Sequence, residues 1–550
     1  MNARRLLCLI ALALAAVATA APASPAASEK AAKDGGIVRM GTTEPFDSMN
    51  PFVAFQAISY EVFTNVYPVL VQYDTHFKLI GDWAKSWTTS KDGLTWTFKV
   101  KPGKWSDGKP LTADDAAWTG NTILKFKKGA AASLAPFISH ATKLSAPDPT
   151  TLVIKYDKAV ANVLPQLEQF FILPRHVWEP IVGSAAKGLK DYDPGAHLPI
   201  VGGGSFYVTK YDKKGTTILT RNPGYYGTRP HLDAVGISWF ANSDAMIAAL
   251  KSNDLDYVDS VPQTVATTLG KSGDIQVIPG PGIEVRDFGF NSSPKKKKNR
   301  ELLDPKVRDA LSHAFDRKQM IDVVWRGLAQ PRATLVTPLS SPYMNTKLQP
   351  EKYDLALANS MLDKLGYKRG SDGIRRTPGA NSHPMSYGVI TPTSVQGINR
   401  EFAIVRDSFQ KIGVKLTQRS YDATTAFTEI TKPNNKYLDF DMMMWDWLGY
   451  FDPDYILSVV GCDQYGGWSD TAYCNPAYDK LYQQQGVTLD PEKRQQIVWK
   501  MQEILYRDKP YIQLAQLKLV YAFRNGWTGI APPILNASSK LPWLNLQKTS

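Results

Sequence analysis

Cysteine and histidine are scarce in this 550-residue chain, with three of the first and seven of the second. The histidines, His76, His140, His176, His197, His231, His313 and His383, form no close pair and no H-E-x-x-H pattern, which excludes the helix-borne zinc site of that motif. No G-x-S-x-G elbow occurs, because Gly202 to Ser205 runs into Phe206-Tyr207 instead of the elbow glycine, and no phosphate loop is present. After Ala20 the chain also lacks the run of about 18 continuous apolar residues that a spanning helix needs, so the mature protein is expected to be soluble. Carboxylates are plentiful but scattered, which leaves a glycosidase-type pair open and keeps a secreted hydrolase as an alternative class. No cofactor and no metal are expected.

What the chain does have begins at its start. Met1 to Ala20 shows Arg4 and Arg5, the apolar run Leu6 to Val17, and Ala18-Thr19-Ala20, the three zones of a secretory signal cleaved near Ala20. Cys8 follows Leu7 and stands too early for lipoprotein processing, and the flanks of Arg4-Arg5 match twin-arginine export poorly, so ordinary secretion without a lipid anchor is expected. Residues 21–34, rich in Ala, Ser and Pro, read as a flexible arm. Cleavage leaves Cys462 and Cys474 in an exported protein, where a disulfide is the default and a short-loop bridge contributes about 3 kcal/mol. Free thiols or a metal site are the alternatives, although two thiols without a nearby His or second Cys pair fall short of zinc-type ligation.

The formal charge of +13 becomes +11 without the two leader arginines. Alone it suggests nucleic acid or anionic envelope surfaces, and export argues against nucleic acid. Lys295 to Lys298, between Asn291-Ser292-Ser293-Pro294 and Asn299-Arg300, is expected on a solvated loop. At 43% hydrophobic and 21% charged residues, the chain is globular in composition and long enough for roughly two to four domains.

The densest pattern is Gly81 to Thr119, which holds five tryptophans among alternating strand residues and Asp-Gly turns. Asp92-Gly93 leads into Leu94, Trp96, Phe98 and Val100, the alternation of a half-buried strand. After Asp107-Gly108, Thr112 stands as a helix N-cap with Asp114 and Asp115 in the first turn. Further on, Asp304-Pro305 opens a helix whose Val307, Ala310, Leu311 and Ala314 make an apolar stripe, and Leu357 to Tyr367 repeats the pattern with Gly366 as its left-handed stop. Phe402 to Gly413 reads as a helix leading into the strand Val414 to Thr417, and this alternation argues for α/β lobes.

The tryptophan block, Gly202 to Tyr207, Asn222-Pro223 with Tyr225-Tyr226, Met246 to Asp256, and Phe290-Asn291 followed by Asp304 to Arg317 together resemble the extracytoplasmic solute-binding proteins of the oligopeptide, dipeptide and nickel ABC importers. The order holds over nearly the whole mature chain, with Tyr226 where the family has Trp. The resemblance implies an α/β, two-lobed periplasmic-binding-protein-like (type II) fold with an extra inserted subdomain. Lobe I is expected over 35–79, 199–287 and 511–550, the inserted subdomain over 80–198, and lobe II over 288–510. It further implies a monomeric receptor, periplasmic or extracellular, that captures an oligopeptide or peptide-like solute and hands it to an ABC permease and its ATPase subunits. A non-peptide solute such as an oligosaccharide or metal chelate, or a surface receptor without transport, remains an alternative.

The resemblance also places the ligand side. Phe55 and Gln56 follow the first strand, Asp259 and Ser260 follow the small-polar-Asp turn, and Arg286 and Asp287 stand on a strand where charges are unusual, either facing the ligand or pairing with each other. In Asp439 to Asp454, peptide binders often place an aspartate four residues before the proline, here Pro453, to pair with the ligand's amine; this chain has Gly449. Losing such a partner costs several kcal/mol, so free-amine recognition at that position is in doubt, and Asp446 is the residue to compensate or else to face solvent. Trp445 and Trp447, at i and i+2 of a strand, share a face and either line the cleft or pack in the core. Met442 to Met444 read as core, and Gln516 as a hydrogen-bonding residue from the first-lobe side.

Overall fold

The computed structural model describes residues 32–54, 56–182, 186–393, 395–430, 440–464, 469–533 and 537–549. The leader and most of the arm therefore lie outside the described residues.

An 11-stranded mixed sheet forms the frame. One half contains Phe206–Lys210, Thr216–Arg221, Ala234–Trp239, Ile37–Thr42 and Tyr257–Val258 in that spatial order. The other half contains Met442–Leu448, Ser386–Pro392 and Lys415–Tyr421. Two long antiparallel strands, Ile275–Phe290 and Tyr511–Arg524, belong to both. Ile275 to Pro279 pair with Arg524 to Val520 in the first half, whereas Glu284 to Gly289 pair with Leu517 to Tyr511 in the second. The ladder slips between Pro279, Gly282 and Glu284, so the crossing between halves falls where regular pairing is interrupted.

Two-residue periodicity decides what each face of the second half buries. Phe288, Phe290, Met442 and Met444 point into a core with Phe315, Phe402 and Phe409, and Val285 and Met443 point the other way, among Val336, Ile390, Leu457 and Tyr478. Met442 to Met444 are thus core on both faces, as their sequence suggests.

The tryptophan block builds a separate four-stranded sheet, Ala84–Thr89, Thr95–Val100, Thr151–Tyr156 and Ala141–Asp148. Trp83 and Trp105 are completely buried, and the Trp83 indole donates to the Lys101 carbonyl at 2.7 Å, so the large apolar ring carries no unpaired polar atom inward. Thr112 caps the helix Ala113–Phe126 in a reciprocal box with Asp115, whose Oδ2 accepts from the Thr112 N–H at 2.9 Å. Tyr226 donates its hydroxyl to Asp82, which also pairs with buried Lys540; a tryptophan there has its N–H in a different place.

The helix Pro305–Ser312 begins at Asp304, whose carboxylate accepts from the Lys306 N–H at 2.9 Å, and Gly366 ends the Leu355–Lys364 region at φ +87°. Cys462 and Cys474 form a disulfide. The expected solvated loop at Lys295 to Lys298 needs correction at one residue. Lys296 is buried, with Nζ 2.6 Å from the Phe440 carbonyl and 3.0 Å from Asp441, so it pins this loop to the start of the Met442–Leu448 strand.

Candidate functional site

Where the two long strands pass from one half to the other, Arg286 stands opposite Asp446 across the ladder. Its side chain is 1% exposed and faces Glu284 at 2.8 Å, Glu401 at 3.2 Å and Asp446 at 3.7 Å. Only the Glu284 contact is an aligned hydrogen bond; the other two act through charge. Glu401 also accepts from the Trp325 indole at 2.9 Å. Burial opposes the guanidinium's charge, but the surrounding carboxylates outweigh it and keep Arg286 protonated. Burial pushes Glu401 up to about 7 against the pull of Arg286, and it raises Glu284 and Asp446 in the same way. One cation thus holds three carboxylates, with negative charge or protons to spare.

Asp287 is adjacent in sequence but lies on the other face of the strand, and no ion pair joins it to Arg286, so the pairing alternative does not hold. Its carboxylate is fully buried, and both oxygens lack a hydrogen-bond partner among the described residues. Burial, then the neighbouring Asp470, drive it well above the usual carboxylate range. Trp445 and Trp447 share this face and pack against the core around Val285, Val336 and Leu457. Asp446 therefore points away from both indoles, toward Arg286, and does not face bulk solvent alone.

Gly449 is held by its N–H to the Ile283 carbonyl at 2.6 Å. A Cβ at this position would stand 2.3 Å from Oγ1 and 2.9 Å from Cβ of buried Thr337. The structure has no room for the aspartate that the resemblance puts here.

The remaining anticipated residues are dispersed. Phe55 lies outside the described residues. Gln56 is the N-cap of the helix Ala57–Val66, with its N–H 3.3 Å from Asp47. Asp259 follows the short strand Tyr257–Val258; burial pushes its carboxyl up to about 7, and Oδ1 has no hydrogen-bond partner among the described residues. Gln516 is buried opposite Val285, in the part of its strand that belongs to the second half; it accepts from Arg332 at 3.2 Å and reaches the Val336 carbonyl at 3.5 Å.

Among the described residues a first cavity lies between the halves, and a second lies between residues 73–169 and the loop after the Met442–Leu448 strand. The first, about 410 Å³, has Gln263 and Thr264 on one wall and Trp325, Ile398, Asn399 and Arg400 on the other. Trp325 forms part of its lining and is the link to the Arg286 cluster through Glu401. The second, about 350 Å³, is bounded by Tyr73, Phe137 and Glu168 on one side and by Tyr450, Phe451 and Asp454 on the other. Tyr73 and Phe451 stack across it at 3.9 Å. Among the described residues no group of three or more His, Cys, Asp or Glu side chains is arranged to hold a metal ion.

Glu168, Glu284, Trp325 and Glu401 were not singled out from sequence. Glu401 had a readable signal, since it falls with Ile398, Phe402 and Val405 on the buried face of the helix Ile398–Lys411. Glu168 had one as well, a carboxylate between Leu167 and the apolar run Phe170 to Leu173.

A chain built as two half-sheets joined by crossing strands, with cavities between them, has the construction of a protein that closes around a small guest. Residues 78–467 match the bacterial extracellular solute-binding proteins, family 5 Middle, and the chain belongs to that family. It is 26% identical over 514 residues to the glutathione-binding protein GsiB of Escherichia coli K12, covering 91% of this chain and 92% of that protein. The ABC transporter substrate-binding protein CtaP of Listeria monocytogenes superposes with a TM-score of 0.80 at 24% identity, covering 94% of this chain and all 100% of that one. The oligopeptide-binding protein AppA of Bacillus subtilis, in complex with a nonapeptide, gives a TM-score of 0.72 at 22% identity, covering 94% and 100%. The fold is thus the type II binding-protein fold of family 5, and the protein is an extracytoplasmic solute-binding protein by family. Among the described residues no helix is long and apolar enough to cross a membrane.

Proposed function

We propose that the protein captures an oligopeptide or peptide-like solute between its halves and presents it, chemically unchanged, to an ABC permease driven by ATPase subunits. The observation that carries this reading is a cavity bounded by both halves, with a second between residues 73–169 and the loop at Tyr450 to Ser458, beside strands whose pairing slips at the crossing. Such a crossing lets two rigid bodies rotate about a few backbone positions. The lobes in this reading are 35–79 with 199–287 and 511–550, and 288–510, the inserted subdomain being 80–198. The peptide class is supported by the names of relatives, one a glutathione-binding protein and one crystallised with a nonapeptide.

The cavity walls suit such a guest. Gln263, Thr264, Asn399 and Arg400 supply donors and acceptors for peptide groups and a cation for a carboxylate, beside the Trp325 ring. The Arg286 cluster is the buried scaffold behind that wall. Within it Arg286 is hydrogen-bonded to Glu284 and faces Glu401 and Asp446 through charge.

Native mass spectrometry of the freshly purified chain tests the reading directly. Retained peptides, released on denaturation with unaltered masses, are the expected result. A sugar or a metal chelate in their place would move the solute class, and hydrolysed products accumulating with time would replace the receptor by an enzyme.

A further inference from the structure

The second cavity contains a carboxyl group that no charged partner among the described residues answers. Glu168 sits in the turn Leu167–Gln169, fixed by the completely buried Leu167 before it and nearly buried Phe170 after it. Its Oε1 has only a long contact, 3.4 Å, to the Ser538 hydroxyl, and its Oε2 is closed off from solvent with no hydrogen-bond partner among the described residues. Among the described residues no ion pair reaches it. The neighbouring acids differ. Asp452 is held by both Nη atoms of Arg494 at 2.6 and 2.8 Å, and Asp454 accepts from Gln485 at 2.6 Å. The rest of the lining combines the aromatic residues Tyr73, Phe137, Tyr450, Phe451 and Tyr455 with prolines and with uncharged polar side chains such as Asn162 and Gln166.

A buried, unpaired carboxylate costs several kcal/mol if charged and stays protonated unless a cation arrives. Aromatic side chains in the same lining, Tyr73, Phe137 and Phe451, supply a second reason for a cation to be held there. We propose that this cavity is a subsite for an organic cation, an ammonium or guanidinium group carried by the captured solute, with Glu168 as its counter-ion and the rings of Tyr73, Phe137 and Phe451 as its walls. The proposal rests on the capture of a solute between the halves. Because Glu168 comes from one side of the cavity and Phe451 from the other, a cation held between them favours the closed arrangement. Burial, opposed by the Ser538 contact and reinforced by Asp452, pushes Glu168 up to about 8. Cation entry then displaces the Glu168 proton to solvent, and the charge inside the cavity is balanced before and after.

Two sources of cation are distinguished by titration calorimetry on the full mature chain. Trialanine is compared with N-acetyl-trialanine for a peptide amine, and N-acetyl-Ala-Lys-Ala with its norleucine counterpart for a side chain. In one pair or both, the cationic peptide is expected to bind about tenfold or more tighter than the neutral one, and Glu168→Gln to erase that margin with the neutral peptide unaffected. The same titration in two buffers of different ionisation enthalpy, below the pH of about 8 where Glu168 titrates, should show proton release with the unmodified chain. This second readout does not depend on the variant folding. No margin in the unmodified chain, a margin that survives Glu168→Gln, or binding without proton release would overturn the cation site. Neutral peptides binding as well as cationic ones would leave the peptide reading standing. Thermal stabilisation by pentylammonium that Glu168→Gln removes, with no peptide bound, would keep the cation site and remove the peptide reading.

Discussion

The surroundings of Arg286, inside the second half, and of Glu168, in the wall of the second cavity, are opposite solutions to enclosing an ionisable group. Around Arg286 a single guanidinium is met by Glu284, Glu401 and Asp446, so the cation is answered more than once from inside the fold. At Glu168 a carboxyl group lines a cavity, and among the described residues no charged group answers it. A buried charge with excess partners belongs to the architecture, because its removal strands the partners. A buried charge without partners has stability to gain from a guest. The comparison separates residues that hold the second half together from the residue proposed to recognise what enters the cavity beside it.

The strongest way to break the comparison is Arg286→Met. It removes the guanidinium from buried Glu401 and from part-exposed Glu284 and Asp446, and the expected loss is about 3 kcal/mol of unfolding free energy, read from urea denaturation. Glu168→Gln, by contrast, should raise the stability of the empty protein at neutral pH, since the folded chain keeps Glu168 neutral where the unfolded chain ionises it. If Arg286→Met is neutral for stability and lowers only affinity, Arg286 belongs to recognition and the distinction fails.

A smaller effect is expected from Gly449→Asp, which restores the carboxylate that peptide binders often carry. The new Cβ meets Thr337 at 2.3 Å, so the substitution should cost about 1 to 3 kcal/mol by overpacking, and Thr337→Gly should recover part of it in the double variant. A well-folded Gly449→Asp protein with raised affinity for free-amine peptides would show that the amine is read on this wall and not from Glu168.

These residues also mark how far the sequence could be read. The α/β lobes, the Thr112 and Asp304 caps, the methionine core and the Cys462–Cys474 bridge were legible because each depends on local spacing or on the small number of candidates. The site was legible only in part. Arg286 and Asp446 could be suspected as charges on apolar strands, but their pairing depends on register across the Met442–Leu448 strand, which no local pattern states. Lys296 looked like one of four solvated lysines until the fold brought the Phe440 carbonyl and Asp441 to it. Trp445 and Trp447 share a face as their spacing demands, but which face meets the core is a tertiary fact. Glu168 is the far case, since its partners in the cavity are about 280 or more residues away in sequence at Tyr450 to Asp454.

The gentlest test uses pH, and its sign follows from the direction of the shifts. Glu401 and Asp259 titrate at about 7 and Glu168 at about 8 in the folded chain, each raised chiefly by burial above the values of 4.5 or 3.8 for unburied carboxyls. The folded state therefore binds protons that the unfolded state has already lost, so stability is greatest below the unfolded values and declines as pH rises through about 7 to 8. Most carboxylates in ion pairs give the reverse trend. Glu401→Gln should flatten the slope up to about pH 7, and Glu168→Gln should flatten it up to about pH 8. A bound cationic solute should flatten only the Glu168 part, because it supplies the missing charge in one cavity and leaves the Arg286 cluster as it was. Urea unfolding across this range, with and without the cationic tripeptide, separates the two, and a cation that altered the Glu401 part alone would place the guest against Arg286 and reverse the assignment of the two regions.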